Sequence, residues 1–383
     1  MKVSKLFAVL AVICLVIALC GAGAQAAKSP YLIGAIFDVS GTGSPLGTPE
    51  RDTVKMLEAQ INKAGGINGH PVKFIYYDNA SENTTSVLMA KRLIEADKVK
   101  AIVGPSQTGT TLAIAAICQK ARIPLVSCAA GVKIVEPGWP YVFKSAQSDV
   151  HAVAKVIDFL KVRKITKIAF INVSNAFGKS GWDQMNQQAK RARISIVEHQ
   201  EFGPDDSDMT SQLVRIKSRN PQAVVCWGTN PGPAHVAKNF KQLNMRMPLV
   251  MSHGIANKKF IEIAGSAANG VVFPAGRLIV ASAIPNNDPQ KKVLLAYTAQ
   301  FKKTYGRDAD TFGGHAWDAA QLVMNAMRKV GDNPAKIRAE LEKSRLVGIS
   351  GVFKFGPREH NGLSKNAFVL VQIKNGKWAL LKK

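Results

Sequence analysis

Residues 101–127, AIVGPSQTGTTLAIAAICQKARIPLVS, decide the fold. Residues 101–103 are a short apolar run, 110–121 carry helical spacing, and 124–127 are apolar again. Strand, loop, helix and strand in so short a span make a βαβ unit. Strands that are apolar throughout, without polar alternation, belong in a parallel sheet covered on both faces. Working outward, 31–37 (YLIGAIF) and 72–77 read as strands, and 49–64 and 84–96 as helices, the first stopped by Gly65-Gly66. The pattern then starts afresh. Helices are expected over 149–162, 178–192, 209–218 and 234–243, and strands over 168–172 (IAFIN), 195–197, 223–227 and 249–252. Three helical stretches follow at 290–305, 311–330 and 335–343. The end is β-like at 351–355, 367–373 and 378–381, with Asn375-Gly376 as a hairpin turn. The fold class is therefore α/β, with two doubly wound parallel-sheet lobes. Ligands bind beyond the carboxyl ends of the strands in such sheets, so two facing lobes would hold a site in the cleft between them.

The chain has 383 residues, 46% apolar and 20% charged, which suits two globular domains. Its first residues read as an export signal. Lys2 and Lys5 precede an uncharged apolar run from Leu6 to Cys20, and Ala24-Gln25-Ala26 supplies a small-x-small cleavage pattern, placing the signal peptide at 1–26. A lipid anchor on Cys20 is the rival reading; Leu19 argues against it, because lipoprotein signals carry a small residue there. The formal charge of +25 becomes +23 once Lys2 and Lys5 are removed. The basic residues are spread along the chain, and together with export this speaks against nucleic acid and for solubility beside an anionic envelope surface. Cys118, Cys128 and Cys226 remain after the signal. An odd number makes no full disulfide framework; three buried thiols are the simpler reading, with pairing of Cys118 and Cys128 left open.

Catalytic patterns are missing. There is no G-x-S-x-G, no H-E-x-x-H, no paired-cysteine motif and no phosphate-binding P-loop, and no two of the seven histidines stand at i, i+4. No catalytic residue, metal or cofactor is expected. GTGSPLG at 41–47 follows a strand and precedes a helix, but its glycine spacing is not that of a dinucleotide loop, so it reads as a glycine-rich cleft loop. Thr108–Thr110 stand at the start of a helix. The unpaired N–H groups and partial positive charge there suit a carboxylate, although Thr108 could equally be a plain N-cap.

Several motifs in order resemble the periplasmic leucine/isoleucine/valine-binding proteins: Ala64-Gly65-Gly66-Ile67-Asn68-Gly69 with Tyr77-Asp78, Ile102-Val103-Gly104-Pro105 with Thr108, Ile123-Pro124-Leu125-Val126-Ser127, Gly178, and Gly254-Ile255-Ala256. The resemblance covers nearly the whole chain after the signal. It implies a type I periplasmic-binding fold whose first lobe is 27–145 plus 277–353 and whose second is 146–276 plus 354–383. The three crossovers would form a hinge near Ser145, Ala275 and Phe355. It also implies an importer's solute-binding subunit in the periplasm, with a small-molecule carboxylate as ligand, an ABC permease in the inner membrane as partner, and a monomeric state. A sensing receptor of the same fold is the alternative. The ligand-binding positions it implies are Leu46, Ser106, Gln107, Thr108, Ala129, Ala130, Gly131, Phe177 and His253, with Asn230 as a further hydrogen-bonding candidate or a structural turn residue.

The chain departs from that family where it matters. Amino-acid binders hold the ligand ammonium with an acid just before the G-[VI]-x-[ND] stretch; here His253 precedes Gly254-Ile255-Ala256-Asn257. Gly131 stands where a Thr or Ser is usual, Phe177 where a Tyr is usual, and the first-lobe cysteine pair is missing. A buried ammonium without an acid is costly, and a protonated His253 would repel it. A carboxylate lacking the amine, such as an aromatic acid, is the expected ligand, with Phe177 and Trp227 as apolar walls.

Overall fold

A computed structural model describes residues 28–381. The export signal expected over 1–26, with Cys14 and Cys20, lies outside the described residues. The first lobe begins with β1 (Tyr31–Phe37), α1 (Ser44–Lys63), β2 (Val72–Asp78), α2 (Asn83–Glu95), β3 (Ile102–Val103), α3 (Thr108–Ala121), β4 (Leu125–Ser127) and β5 (Val142–Lys144). Its five strands pair in the order β2-β1-β3-β4-β5, all parallel. The second lobe follows with α4 (Asp149–Val162), β6 (Lys167–Val173), α5 (Ala176–Arg191), β7 (Ser195–Phe202), α6 (Thr210–Ser218), β8 (Ala223–Trp227), α7 (Gly232–Gln242), β9 (Leu249–Met251), α8 (Lys258–Ala264) and β10 (Val272–Ala275). The chain then returns through α9 (Lys291–Tyr305), α10 (Thr311–Val330), α11 (Pro334–Leu341) and the hairpin of β11 (Arg345–Val347) and β12 (Val352–Lys354). It ends as β13 (Val369–Lys374) and β14 (Lys377–Leu380), which complete a seven-stranded sheet of order β14-β13-β10-β9-β8-β6-β7.

The strand orders place the site. In the first sheet the winding reverses between β1 and β3; in the second it reverses between β6 and β8. A crevice opens at each reversal because the helices after the two strands depart to opposite faces. The two crevices face one another. Apolar strand residues such as Ile33, Ala35, Ile102 and Val126 in one sheet, and Ile168, Phe170, Val224 and Val225 in the other, are fully buried. Burial on both faces is what their unbroken apolar runs required.

Some elements departed from sequence expectation for identifiable reasons. The stretch 41–47 is largely helix, not a glycine loop: α1 starts at Ser44 because Pro45 is tolerated in a first helical turn. Gly47 lies against the backbone of Asp38, where an added Cβ would stand 2.3 Å from its oxygen. β5 escaped notice because its last residue is Lys144, a lysine buried completely. β10 holds Pro274, which argues against an inner strand; its pairing with β9 is confined to Val272 and Val250, so the missing N–H falls beyond that ladder. The third crossing between lobes comes later than Phe355. That ring packs on Phe143 at 5.5 Å in the first lobe, Leu363 and Ala367 still belong to the first-lobe apolar core, and Lys365 already bonds Asp158 of the second lobe at 2.9 Å. The thiols of Cys118, Cys128 and Cys226 are free and buried.

Gly178 opens α5 against the end of β6, where an added Cβ would stand 1.7 Å from the Val173 carbonyl oxygen. Gly178→Ala should therefore lower unfolding stability by about 1–3 kcal/mol in urea titration. Gly356→Ala, with nothing within 4 Å, should stay within about 0.5 kcal/mol of wild type. Equal effects of the two would contradict the close approach of helix and strand.

Candidate functional site

The cleft between the lobes encloses about 320 Å³. Its lining comes from segments that follow strands. From the first lobe these include Leu46 on α1, Ser106–Thr110 after β3, and Ala129 and Ala130 after β4; the second lobe gives Asn175–Phe177 after β6, Thr229 after β8, and His253 and Gly254 after β9. Phe312 and His315 at the start of α10 complete it.

The first-lobe side presents hydrogen-bond donors that the protein does not use. Gln107, the N-cap of α3, makes no side-chain capping bond, so the N–H groups of the first turn are left for a ligand or water. Thr108 Oγ1 accepts the Gly131 N–H at 3.2 Å, which leaves the hydroxyl proton free to be donated. The Ser106 hydroxyl accepts the Asp38 N–H at 3.0 Å, tying the loop after β3 to the loop after β1 across the winding reversal. The Ala130 carbonyl, which would repel a carboxylate, is occupied by Lys144 Nζ and by the Asp149 N–H at 3.3 Å. Burial lowers Lys144 to about 8, with Asp149 and Glu359 opposing that shift. Opposite, α5 also begins at the cleft, but it is self-capped: Asn175 Oδ1 accepts from the N–H groups of Phe177 and Gly178, each at 3.0 Å. Of the two helix starts, that of α3 is the uncapped one.

The second-lobe side is aromatic and neutral. His253 is buried and ringed by Phe177 (5.5 Å between centroids), Trp227 (5.9 Å) and Phe368 (5.3 Å), all edge-on. Burial first, and then the nearby His315 and Lys144, push His253 down to about 3. His315 is held down to about 3 in the same way, by burial and then by Lys144. Both imidazoles are neutral at ordinary pH, so the repulsion expected from a protonated His253 does not operate; the missing acid is the consequential change. The carboxylates that line the cleft, Glu82 and Asp205, are both exposed. Asp38 and Glu50 are buried behind Ser106, and burial raises both, Asp38 to about 6.

Eight of the ten residues singled out from the sequence meet at this cleft: Leu46, Ser106, Gln107, Thr108, Ala129, Ala130, Phe177 and His253. Two do not. Gly131 stands behind Thr108, where an added Cβ would lie 2.4 Å from its Cγ2. The usual Thr or Ser has no room there, and Gly131 supports the Thr108 hydroxyl through its N–H. Asn230 is buried away from the lining; its Nδ2 donates to Asn257 Oδ1 at 3.0 Å, and Asn257 Nδ2 reaches the Pro45 carbonyl of the first lobe at 3.0 Å. It braces the contact between lobes. Trp227, expected as a wall, lies behind Phe177 and His253 with Gly181 pressed on its indole. Phe312 and His315 were missed because α10 reads as one amphipathic helix whose first turn has no distinguishing signal. A hollow of about 960 Å³ borders the Asn257–Pro45 contact and includes Lys302 and Asp308, which pair at 3.4 Å. Among the described residues no group of three His, Cys, Asp or Glu could hold a metal ion, and no helix is long and apolar enough to cross a membrane.

Two facing α/β crevices around a small cleft define a two-lobed binding protein. Residues 30–377 match the family model described as periplasmic binding protein, and the chain belongs to that family. Its members bind small ligands and work with ABC transporter permeases, and the relatives of this chain are substrate-binding proteins and not enzymes. The Leu/Ile/Val-binding protein homolog 3 of Brucella melitensis is 23% identical over 92% of this chain and 94% of its own. The branched-chain amino acid transporter substrate binding protein LivJ of Streptococcus pneumoniae, in complex with isoleucine, superposes with a TM-score of 0.82 at 23% identity over 91% of this chain and 97% of its own. An ABC transporter solute binding protein of Rhodopseudomonas palustris, in complex with benzoate, superposes with a TM-score of 0.80 at 21% identity over 92% and 95%.

The buried imidazole makes a pH test. A histidine whose folded pKa lies near 3 and whose unfolded value lies near 6.5 binds its proton first in the unfolded chain, so acid costs stability between those limits. Burial raises Asp38, Asp310 and Asp318, whose effect runs the other way, but they are common to wild type and variant. Between pH 6.5 and 4, wild type should lose stability relative to His253→Phe with a slope approaching about 1.4 kcal/mol per pH unit. Parallel curves from urea titrations at each pH would show that the imidazole is not held neutral by burial.

Proposed function

We propose that this protein is the extracytoplasmic solute-binding subunit of an ABC importer and that it binds a small carboxylate without an α-ammonium, an aromatic acid fitting best. The observation that carries this reading is the polarity of the cleft. One side offers the open first turn of α3 with the Thr108 hydroxyl; the other offers a neutral His253 among aromatic edges, with no buried carboxylate in the lining. A carboxylate gains hydrogen bonds on the first side, and an ammonium finds no counter-charge on the second. The cleft volume suits a ligand the size of an aromatic acid. The isoleucine and benzoate complexes of proteins with this fold mark the two ligand chemistries between which the site must choose.

In this reading the lobes close on the ligand by bending at the three crossings, near residues 145–148, 275–277 and 364–368, and the permease reads the closed form. The protein acts as a monomer in the periplasm, freed from its signal after Ala26.

A thermal-shift screen of the mature protein over amino acids, aliphatic acids and aromatic acids tests the ligand class. Ligand at 100 times its Kd adds about 2.7 kcal/mol of stability. Acids without an amine should raise Tm, and leucine and isoleucine should not; stabilisation by the amino acids alone would reverse the reading. Thr108→Ala should weaken binding of the best acid by about 1–3 kcal/mol, and Thr108→Ser should recover most of that. Unchanged affinity in Thr108→Ala would take the carboxylate away from α3.

A further inference from the structure

We propose that the ligand carries, besides its carboxylate, an uncharged oxygen group, a hydroxyl or a carbonyl, that hydrogen-bonds to His253, so that each lobe reads a different group of the same molecule. This rests on the reading of the cleft as a site for a carboxylate without an amine, and it adds the second functional group.

His253 lines the cleft at 4% exposure, and neither of its ring nitrogens has a hydrogen-bond partner. Buried polar groups are rarely left in that state, since each lost bond carries the full cost of desolvation. No hydrogen bond from the surrounding side chains reaches the ring. Phe177, Trp227 and Phe368 meet it edge-on at interplanar angles of 83°, 74° and 67°; the Trp227 indole N–H is the one polar ring group among them, and it too has no hydrogen-bond partner. Below it, the Ser252 hydroxyl is committed to the N–H groups of Gly254 and Gly228 and to the Gly228 carbonyl. The ring borders the cleft, with both nitrogens covered in this conformation. His315 lines the same space at 2% exposure from the start of α10. Its Nε2 meets Gln147 Oε1 at 3.1 Å.

A neutral imidazole offers one N–H and one lone pair. A hydrocarbon end of a ligand would seal both away from water and satisfy neither. An ammonium would supply protons to the lone pair but would sit buried beside a group with no charge to balance it. A hydroxyl serves either nitrogen, as donor or acceptor, and a carbonyl accepts from the N–H. The carboxylate binds on one lobe and the oxygen group on the other, so a ligand with both tethers the two halves of the closed form. The substrate class is thus the hydroxy- or oxo-substituted carboxylic acids.

Matched pairs decide it, measured by isothermal titration calorimetry on the mature protein. The pairs are benzoate against 2-, 3- and 4-hydroxybenzoate, and 3-methylbutanoate against its 2-hydroxy and 2-oxo forms. In at least one pair the oxygen-bearing acid should bind about 10-fold or more tighter, because a site built to hydrogen-bond a hydroxyl rejects the analogue lacking it. That ratio should fall toward one in His253→Phe and be kept in part by His253→Gln, which retains a donor and an acceptor; His253→Leu replaces the Phe variant should that one not fold. Preference for the unsubstituted acid in every pair, or a ratio that survives in both apolar variants, overturns the assignment of His253. If leucine binds more tightly than any acid tested, or no acid binds, the underlying carboxylate reading fails and this inference falls with it.

Discussion

The open first turn of α3 is the constraint on which the rest depends. Backbone N–H groups at a helix start must be satisfied by something, and here the N-cap Gln107 does not supply it. The surrounding residues keep the position available. Gly131 supports the Thr108 oxygen without a side chain that would crowd it, Lys144 and the Asp149 N–H occupy the Ala130 carbonyl, and Ser106 locks the loop to the end of β1. These contacts converge because the first sheet reverses its winding between β1 and β3, so the loops after those strands are adjacent in space though far apart in sequence.

The second lobe answers with the opposite character. Its reversal, between β6 and β8, brings Phe177 and Trp227 together, and His253 follows from β9 into the same aromatic nest. The helix start on that side, α5, has spent its first N–H groups on Asn175. One lobe is therefore ready for charge and the other for an apolar body with a neutral polar contact. Holding the lobes in register are a polar bridge from Asn230 through Asn257 to the Pro45 carbonyl, and an ion pair from Lys133 to Asp183 at 3.4 Å. Both join elements beside the cleft.

Much of this was legible in the chain. The strands over residues 31–37 and 223–227 and the helices over 149–162 and 311–330 are where apolar runs and helical spacing put them. Residues that follow strands at the reversal points were found because sheet topology alone assigns them to the cleft. What the sequence hid was physical in origin. A buried lysine broke the pattern of β5, and a proline broke that of β10. Asn230 stayed open between ligand contact and structural turn, because an asparagine in a loop after a strand is indistinguishable in sequence from one that braces a neighbouring turn. The neutrality of His253 was beyond reach, since it depends on burial and on Lys144 and His315, which come from other parts of the chain.

The central claim is that the ligand's negative charge rests on the start of α3 while its body lies against His253 and Phe177. A crystal structure of the mature protein with the tightest-binding acid tests it most directly. The account requires carboxylate oxygens within hydrogen-bonding distance of the Thr108 hydroxyl and of N–H groups in the α3 first turn. A carboxylate seated at the second lobe, or a ligand whose amine is held by Glu82 or Asp205, would contradict it.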